Sequence, residues 1–262
     1  MKSSLPYAII LCLFFSFTAI FGQTGNYYPK YVLSYPKTAI NAFKAPIKWE
    51  STDWYKAGGF VVIGSALYLL DEDINDAIHR NRSPLTHKIA DAGNHFGDGW
   101  YTIPVIGATW LSGYALNSPK TQDTALLSLK SFLIADGVTS VLKYSSQRYR
   151  PNRDKGNSFW NGSKFSLHKD SFPSGHTTLV WSIAPVLAEQ YKDTGWVPPL
   201  VYGAACVTSY ARMHDEKHWS SDVFVGASIG YITARLVMQT TPRLTIVPSL
   251  EPAGVQVSWQ LD

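Results

Sequence analysis

ARMHDEKHWSSD, residues 211–222, is the stretch on which the reading of this chain turns. It reads as R-x5-H-x3-D, with Arg212, His218 and Asp222 as its fixed points. Two earlier stretches belong with it: KYSSQRYRP at 143–151, which reads as K-x6-R-P, and PSGH at 173–176. Each sits at the edge of an apolar run of helical length. The pattern of apolar segments and polar breaks predicts helices over 52–70, 84–95, 101–115, 121–144, 176–191, 198–212 and 218–238, with a short polar helix over 71–82. Short connections favour antiparallel neighbours. The helix over 121–144 then ends where Lys143 and Arg150 lie, and the next starts on that side with His176. The one after returns to end at Arg212, and the last starts there with His218. The fold class expected is therefore all-α, an antiparallel helical bundle with the three motifs at one end.

The residue types in these motifs suit phosphoryl chemistry without a metal. Lys143, Arg150 and Arg212 are three cations that can surround phosphoryl oxygens, Arg with a planar fork and Lys as a point charge. Ser174 offers a hydroxyl. Gly175 lets the backbone approach an anion closely, and PSGH places N–H groups at a helix start, a ready anion site. His218 is the expected nucleophile, since a neutral imidazole can attack phosphorus and form a phosphohistidine that water hydrolyses. Asp222, one helical turn on, is expected to accept the Nδ1 proton of His218 and aim Nε2. His176 is the expected general acid, then base. Taken singly each signal is bland: His-x3-Asp reads as a helix pair, most Lys and Arg are solvated, and a His after Ser-Gly is an ordinary helix start. Together they fix ten positions in order, each residue type having a background frequency of about 5%, so chance assembly is a poor explanation.

These motifs resemble those of the type 2 phosphatidic acid phosphatase family, which shares its site with the vanadium haloperoxidases. The gaps fit as well, with 21 residues between Pro151 and Pro173 and 34 between His176 and Ala211. One departure stands out: the family usually carries Ser-Arg where this chain has Ala211 before Arg212. That removes a possible hydroxyl contact to phosphate and leaves every charged or proton-transferring group. The resemblance implies a hydrolase of phosphomonoester or diphosphate groups, most often on a lipid. Phosphatidic acid, phosphatidylglycerol phosphate, polyprenyl diphosphate and the phosphates of lipid A are the substrate types it implies. Three alternatives stay beside it: a secreted acid phosphatase of broad specificity, vanadate-dependent halide oxidation, and a phosphate- or headgroup-binding protein without turnover. No cofactor is expected.

Composition bounds these readings. With 262 residues, 45% hydrophobic and 16% charged, the chain has ample core and is not a disordered polymer. Residues 1–22 read as a secretory signal, with Lys2 as the positive start and Gly22 as the small residue before the cut; an uncleaved anchor is the alternative. Export places the domain in the cell envelope, outside the cytoplasm. Cleavage removes Lys2 from the 23 Lys and Arg against 19 Asp and Glu, leaving a weakly basic chain. No basic repeat points to nucleic acid. Cys12 falls in the signal, so only Cys206 remains; its apolar neighbours suggest an inert buried thiol. His79, His87, His95, His168 and His214 lack close metal-ligand spacing, and no metal site is expected. Asp98 in FGDGW reads as a turn or cap.

Membrane residence stays open. The mean hydropathy is -0.07, and charges interrupt most of the long apolar runs, whereas the family's lipid phosphatases usually have six spanning helices. An integral chain and a peripheral or soluble one both fit, and nine Trp with 14% aromatics suit a surface that is half wet and half apolar. Four regions follow: the signal, an extended lead-in over 23–51, the helical domain over 52–240 and a tail over 241–262. In the tail Val255, Val257, Trp259 and Leu261 alternate with polar residues, which predicts a C-terminal β-hairpin. The Pro-, Gly- and Asn-containing stretch between the first two motifs reads as a loop over the site, a candidate lid. Oligomeric state is not legible.

Overall fold

The computed structural model describes residues 27–162, 171–241, 243–248 and 255–260; the predicted signal at 1–22 and the middle of the candidate lid, 163–170, lie outside them. Nine α-helices run through the described residues: α1 (Tyr27–Lys44), α2 (Ser51–Leu69), α3 (Asp71–Arg80), α4 (Pro84–Gly97), α5 (Gly99–Ala115), α6 (Pro119–Ser146), α7 (Gly175–Gln190), α8 (Val197–His214) and α9 (Ser220–Thr240). The chain is mostly helical, as the apolar periodicity predicts.

Local chemistry sets the boundaries. Ser83 caps α4, accepting the N–H of Thr86, with Pro84 at the first helical position. Asp98 caps α5 through the N–H of Trp100, at 2.9 Å, so it is a cap. Ser118 caps α6, again followed by Pro. The far end of α6 stops at Gln147, whose φ of 50° is left-handed. That stop turns the chain sharply just after Lys143.

α7 is the central post. A helix that is apolar or small on every side must be surrounded, and from Thr177 to Ala188 almost every residue of α7 is buried. Leu179 and Ile183 pack with Ile106, Trp110, Leu126 and Phe132 of α5 and α6. Val186 packs with Leu127, Ala234 and Val237 of α6 and α9, and Val180 and Ala184 pack with Ala205 of α8. With these neighbours fixed along its length, the start of α7 at PSGH is held against the ends of the others.

Two expectations are corrected here. The lead-in is helical rather than extended: α1 occupies 27–44 despite Pro36 in its interior. Tertiary partners outweigh its weak pattern, because Lys130 Nζ of α6 donates to Ser34 Oγ at 2.8 Å and Thr38 is buried beside Thr240 of α9. Cys206 is exposed, not buried: it faces outward from α8, while its neighbour Ala205 faces the core. The same outward apolarity is strongest on α2, which has no buried residue and exposes Val61, Val62, Ile63 and Leu69. Among the described residues, Pro119–Ser146 is the one helix long and apolar enough to cross a membrane, with 44% of its most apolar window buried.

In the tail, the backbones of β1 (Arg243–Pro248) and β2 (Val255–Gln260) pair antiparallel, Arg243 opposite Gln260 and Pro248 opposite Val255. Residues 249–254 between them lie outside the described residues.

Candidate active site

The loops that join these helices bring the three motifs to one end of the bundle. Lys143 is on the last turn of α6, Ser174 is the N-cap of α7, Arg212 is on the last turn of α8, and His218 stands just before α9. Backbone hydrogen bonds tie these ends to one another. The Ser174 N–H donates to the Asp222 carbonyl at 3.0 Å, and the N–H groups of Lys217 and His218 both donate to the Arg212 carbonyl, at 3.0 and 3.2 Å. Asn152 N–H donates to the Glu216 carbonyl at 3.3 Å. The turn between the helices passes through Glu216 with φ of 52°.

His218 is 3% exposed, and its Nδ1 lies 2.6 Å from the carbonyl oxygen of Ser171. A carbonyl only accepts, so Nδ1 carries the proton and Nε2 keeps its lone pair. Burial, followed by the charges of Lys143, Arg212, Arg150 and His176, holds its pKa well below the ordinary 6.5. The ring is therefore a neutral imidazole among three cations. His176 is under the same influences: burial first, then Arg212, with Asp98 opposing and Lys143 and Arg150 adding, lower its pKa to about 4. All the predicted cations and both histidines thus lie within electrostatic reach of one another. Gly175 lies directly under the Lys143 side chain, whose Cε would sit 3.7 Å from a Cβ at that position.

Arg212 is anchored by Nη1 donating to Asn94 Oδ1 of α4 at 2.6 Å, and Asn94 in turn donates to Asp215 at 2.7 Å. Its Nε is buried and has no hydrogen-bond partner among the described residues, a spare donor. Burial lowers its pKa to about 10, so it remains cationic at neutral pH. Ser174 is fully buried, and its hydroxyl lies 2.9 Å from that of Thr177. His214, near the site in sequence, is buried against His87 and bonded to Asp215 at 2.9 Å. No cluster of three or more metal-binding side chains occurs among the described residues.

Asp222 departs from expectation. Its carboxylate does not hydrogen-bond His218; it accepts from Arg148 Nη1 at 2.6 Å, from the Trp219 N–H at 2.9 Å and from the Ser171 hydroxyl. The reason is local. The i, i+4 geometry holds inside a helix, but α9 begins at Ser220, and His218 lies in the bend before its extended N-cap, Trp219. Asp222 reaches the histidine through Ser171 instead. Arg148, Ser171 and Asp71 were not legible as site residues. Arg148 lies at an unspecified position inside K-x6-R-P, and Asp71 sits in a polar stretch that reads as a surface helix.

Two neutral histidines, His218 buried and His176 half-buried, thus stand among Lys and Arg side chains at the helix ends, an arrangement suited to an anion. Residues 124–246 match the PAP2 superfamily. The solved transmembrane PAP2 type phosphatidylglycerolphosphate phosphatase from Bacillus subtilis shares the fold, with a TM-score of 0.54 at 24% identity, over 70% of this chain and 94% of that one. The chain is 30% identical over 101 residues to the lipid A 1-phosphatase of Porphyromonas gingivalis, covering 38% of this chain and 20% of that protein. It is 26% identical over 140 residues to the bacitracin transport permease protein BcrC of Bacillus licheniformis, covering 53% of this chain and 64% of that one. The chain thus spans less than two thirds of either curated relative.

Proposed function

We propose that this protein is a metal-independent phosphatase that hydrolyses a phosphomonoester or diphosphate on a lipid, in the cell envelope, through a phosphohistidine on His218. The observation that carries the reading is the Nδ1–H tautomer of His218, fixed by the Ser171 carbonyl, with Nε2 unprotonated among Lys143, Arg150 and Arg212.

The substrate phosphoryl group sits among those three cations and the N–H groups of the PSGH turn. His218 Nε2 forms a bond to phosphorus as the ester oxygen leaves, and the three cations stabilise the charge on the equatorial oxygens. His176 gives its proton to the leaving oxygen. In the free site burial and the cations hold His176 neutral; a phosphate dianion among the cations offsets their charge and raises its pKa, so the acid is armed by substrate. In the second step His176 takes a proton from water, water attacks phosphorus, and the P–N bond breaks to return His218 as a neutral imidazole. Ser174 and Gly175 shape the turn under the phosphate.

A lipid substrate is supported by the outward apolar side chains of α2 and by exposed Trp100, Tyr101 and Val105 at the start of α5, since grouped exposed apolar side chains mark membrane or partner contacts. The similarity to the lipid A 1-phosphatase of Porphyromonas gingivalis points the same way. Export by the 1–22 segment and a site facing away from the cytoplasm belong to this proposal, as does a C-terminal strand pair docked on the bundle beside α6.

The test is phosphate release by the purified protein in detergent with excess chelator, from a panel of lipid phosphates and one soluble phosphoester. Chelator-resistant release that favours lipids supports the reading. Equal rates on the soluble ester would favour a broad acid phosphatase, and no release from any substrate would favour a binding protein.

A further inference from the structure

Arg148 is fully buried. Its guanidinium lies between two carboxylates from distant parts of the chain. Nη1 donates to Asp222 Oδ1 at 2.6 Å and Nη2 to Asp71 Oδ2 at 2.7 Å. Nη1 also donates to Ser221 Oγ at 2.8 Å, and Nε to the Asn157 carbonyl at 2.9 Å. The rings of Tyr68, Trp160 and Trp219 enclose it at 4.9, 5.0 and 5.5 Å. Asp71, also fully buried, accepts at the start of α9 from the Ser221 N–H at 2.9 Å and from the hydroxyls of Ser220 and Ser221 at 2.7 and 2.6 Å.

A buried array of this kind is costly to build, because each ion must leave water. It persists here fully bonded, and it ends on Ser171. The Ser171 N–H donates to the Arg148 carbonyl at 2.8 Å, its hydroxyl donates to Asp222 Oδ2, and its carbonyl accepts from His218 Nδ1 at 2.6 Å. Every polar atom of Ser171 is thus held by a member of this chain of contacts. The order is Asp71, Arg148, Asp222, Ser171, His218.

We propose that Arg148, backed by Asp71, is a positioning residue for the His218 nucleophile: it orients the Asp222 carboxylate, which holds Ser171, whose carbonyl selects the reactive tautomer. This rests on the phosphatase reading above. Arg148 touches no substrate, and the phosphate is left to Lys143, Arg150 and Arg212. Without the guanidinium, two desolvated carboxylates would be left facing each other across a void. Asp222 would then turn or take up a proton, and the Ser171 carbonyl would lose its aim.

The experiment compares the full-length chain with Asp71→Asn, Arg148→Lys and Arg148→Met, each alone and combined with Asp222→Asn. Three quantities are read: kcat, KM, and the His218 tautomer by 15N NMR of histidine-labelled protein, assigned by signal loss in His218→Gln. A positioning role predicts that kcat falls about 10- to 100-fold, as for outer partners of other reactive imidazoles, with KM near the wild-type value. It predicts that Arg148→Lys does not rescue, because an ammonium lacks the fork that spans two carboxylates. It predicts a mixed His218 tautomer in the single variants and little further loss on adding Asp222→Asn. Asp71→Asn keeps the side-chain shape and serves where Arg148→Met folds poorly. Losses that multiply independently, or a pure Nδ1–H signal in every variant, would overturn the proposal. If the wild type releases no phosphate from any substrate, the phosphatase reading fails, and the tautomer signal still decides whether Arg148 positions His218.

Discussion

Ser174 and Gly226 mark the point where two helix backbones meet: a Cβ on Gly226 would fall 2.6 Å from the Ser174 carbonyl oxygen. One turn on, a Cβ on Gly230 would fall 2.6 Å from the Thr178 carbonyl and 2.7 Å from the Ser182 nitrogen. α7 and α9 therefore cross on two glycines, at the height of the PSGH turn. The contact brings the Ser174 N–H to the Asp222 carbonyl and so sets the spacing of the two histidine motifs.

Gly226→Ala and Gly230→Ala should each destabilise the protein by about 1–3 kcal/mol, the usual cost of overpacking. The atoms met are backbone and cannot swing away. Gly226→Ala should also lower kcat more than Gly230→Ala, since it presses on Ser174 itself. Thermal melts and initial rates on both variants check this, and wild-type melting of Gly226→Ala would contradict the crossing.

Asn94→Ala should weaken binding of vanadate, a phosphoryl transition-state mimic, by about 10- to 100-fold, the worth of a hydrogen bond to a charged group at 1.5–3 kcal/mol. Asn94 reaches the site only through Arg212 Nη1. An inhibition titration beside Arg212→Ala reads it; unchanged vanadate affinity would mean that Arg212 needs no anchor.

The histidines make stability pH-dependent with a definite sign. His176 titrates at about 4 in the folded chain against an ordinary 6.5, and His218 shifts in the same direction. Below pH 6.5 the unfolded chain takes up protons that the folded site refuses, so stability is fully present above 6.5 and falls as pH drops toward 4. Asp222, raised by burial from its ordinary 3.8, works in the opposite sense. His176→Gln isolates the histidine contribution: its melting temperature should fall less than that of the wild type between pH 6.5 and 4. Phosphate in the buffer should flatten the wild-type curve, because it offsets the cations. Parallel curves for the two proteins would contradict the assignment.

The helices were legible as apolar runs of helical length between polar breaks, with Ser, Asp and Pro at their starts, and the meeting of the motifs followed from antiparallel order alone. Residue type and spacing were enough to place Lys143, His176, Arg212 and His218 at one end of the bundle. Three kinds of feature stayed hidden. α1 lies in a Tyr-, Lys- and Pro-containing stretch with Pro36 in its interior and is held by polar contacts such as Lys130 with Ser34. Cys206 sits in an apolar run, and apolarity by itself does not tell an inward face from an outward one. The Asp71–Arg148–Asp222 array joins residues 77 and 74 positions apart, a pairing that no local pattern encodes. The expected Asp222–His218 bond failed because the helix starts two residues too late to bring them face to face.

The central claim is a phosphorus–nitrogen bond on His218, and trapping it is the most direct test. Full-length protein is mixed with a radiolabelled phosphate ester and excess chelator, quenched within milliseconds in alkali, and the labelled peptide is located. Label on His218 that is stable to alkali, lost in acid and absent from His218→Ala is the result this account predicts. Steady release of phosphate by His218→Ala at the wild-type rate would contradict it.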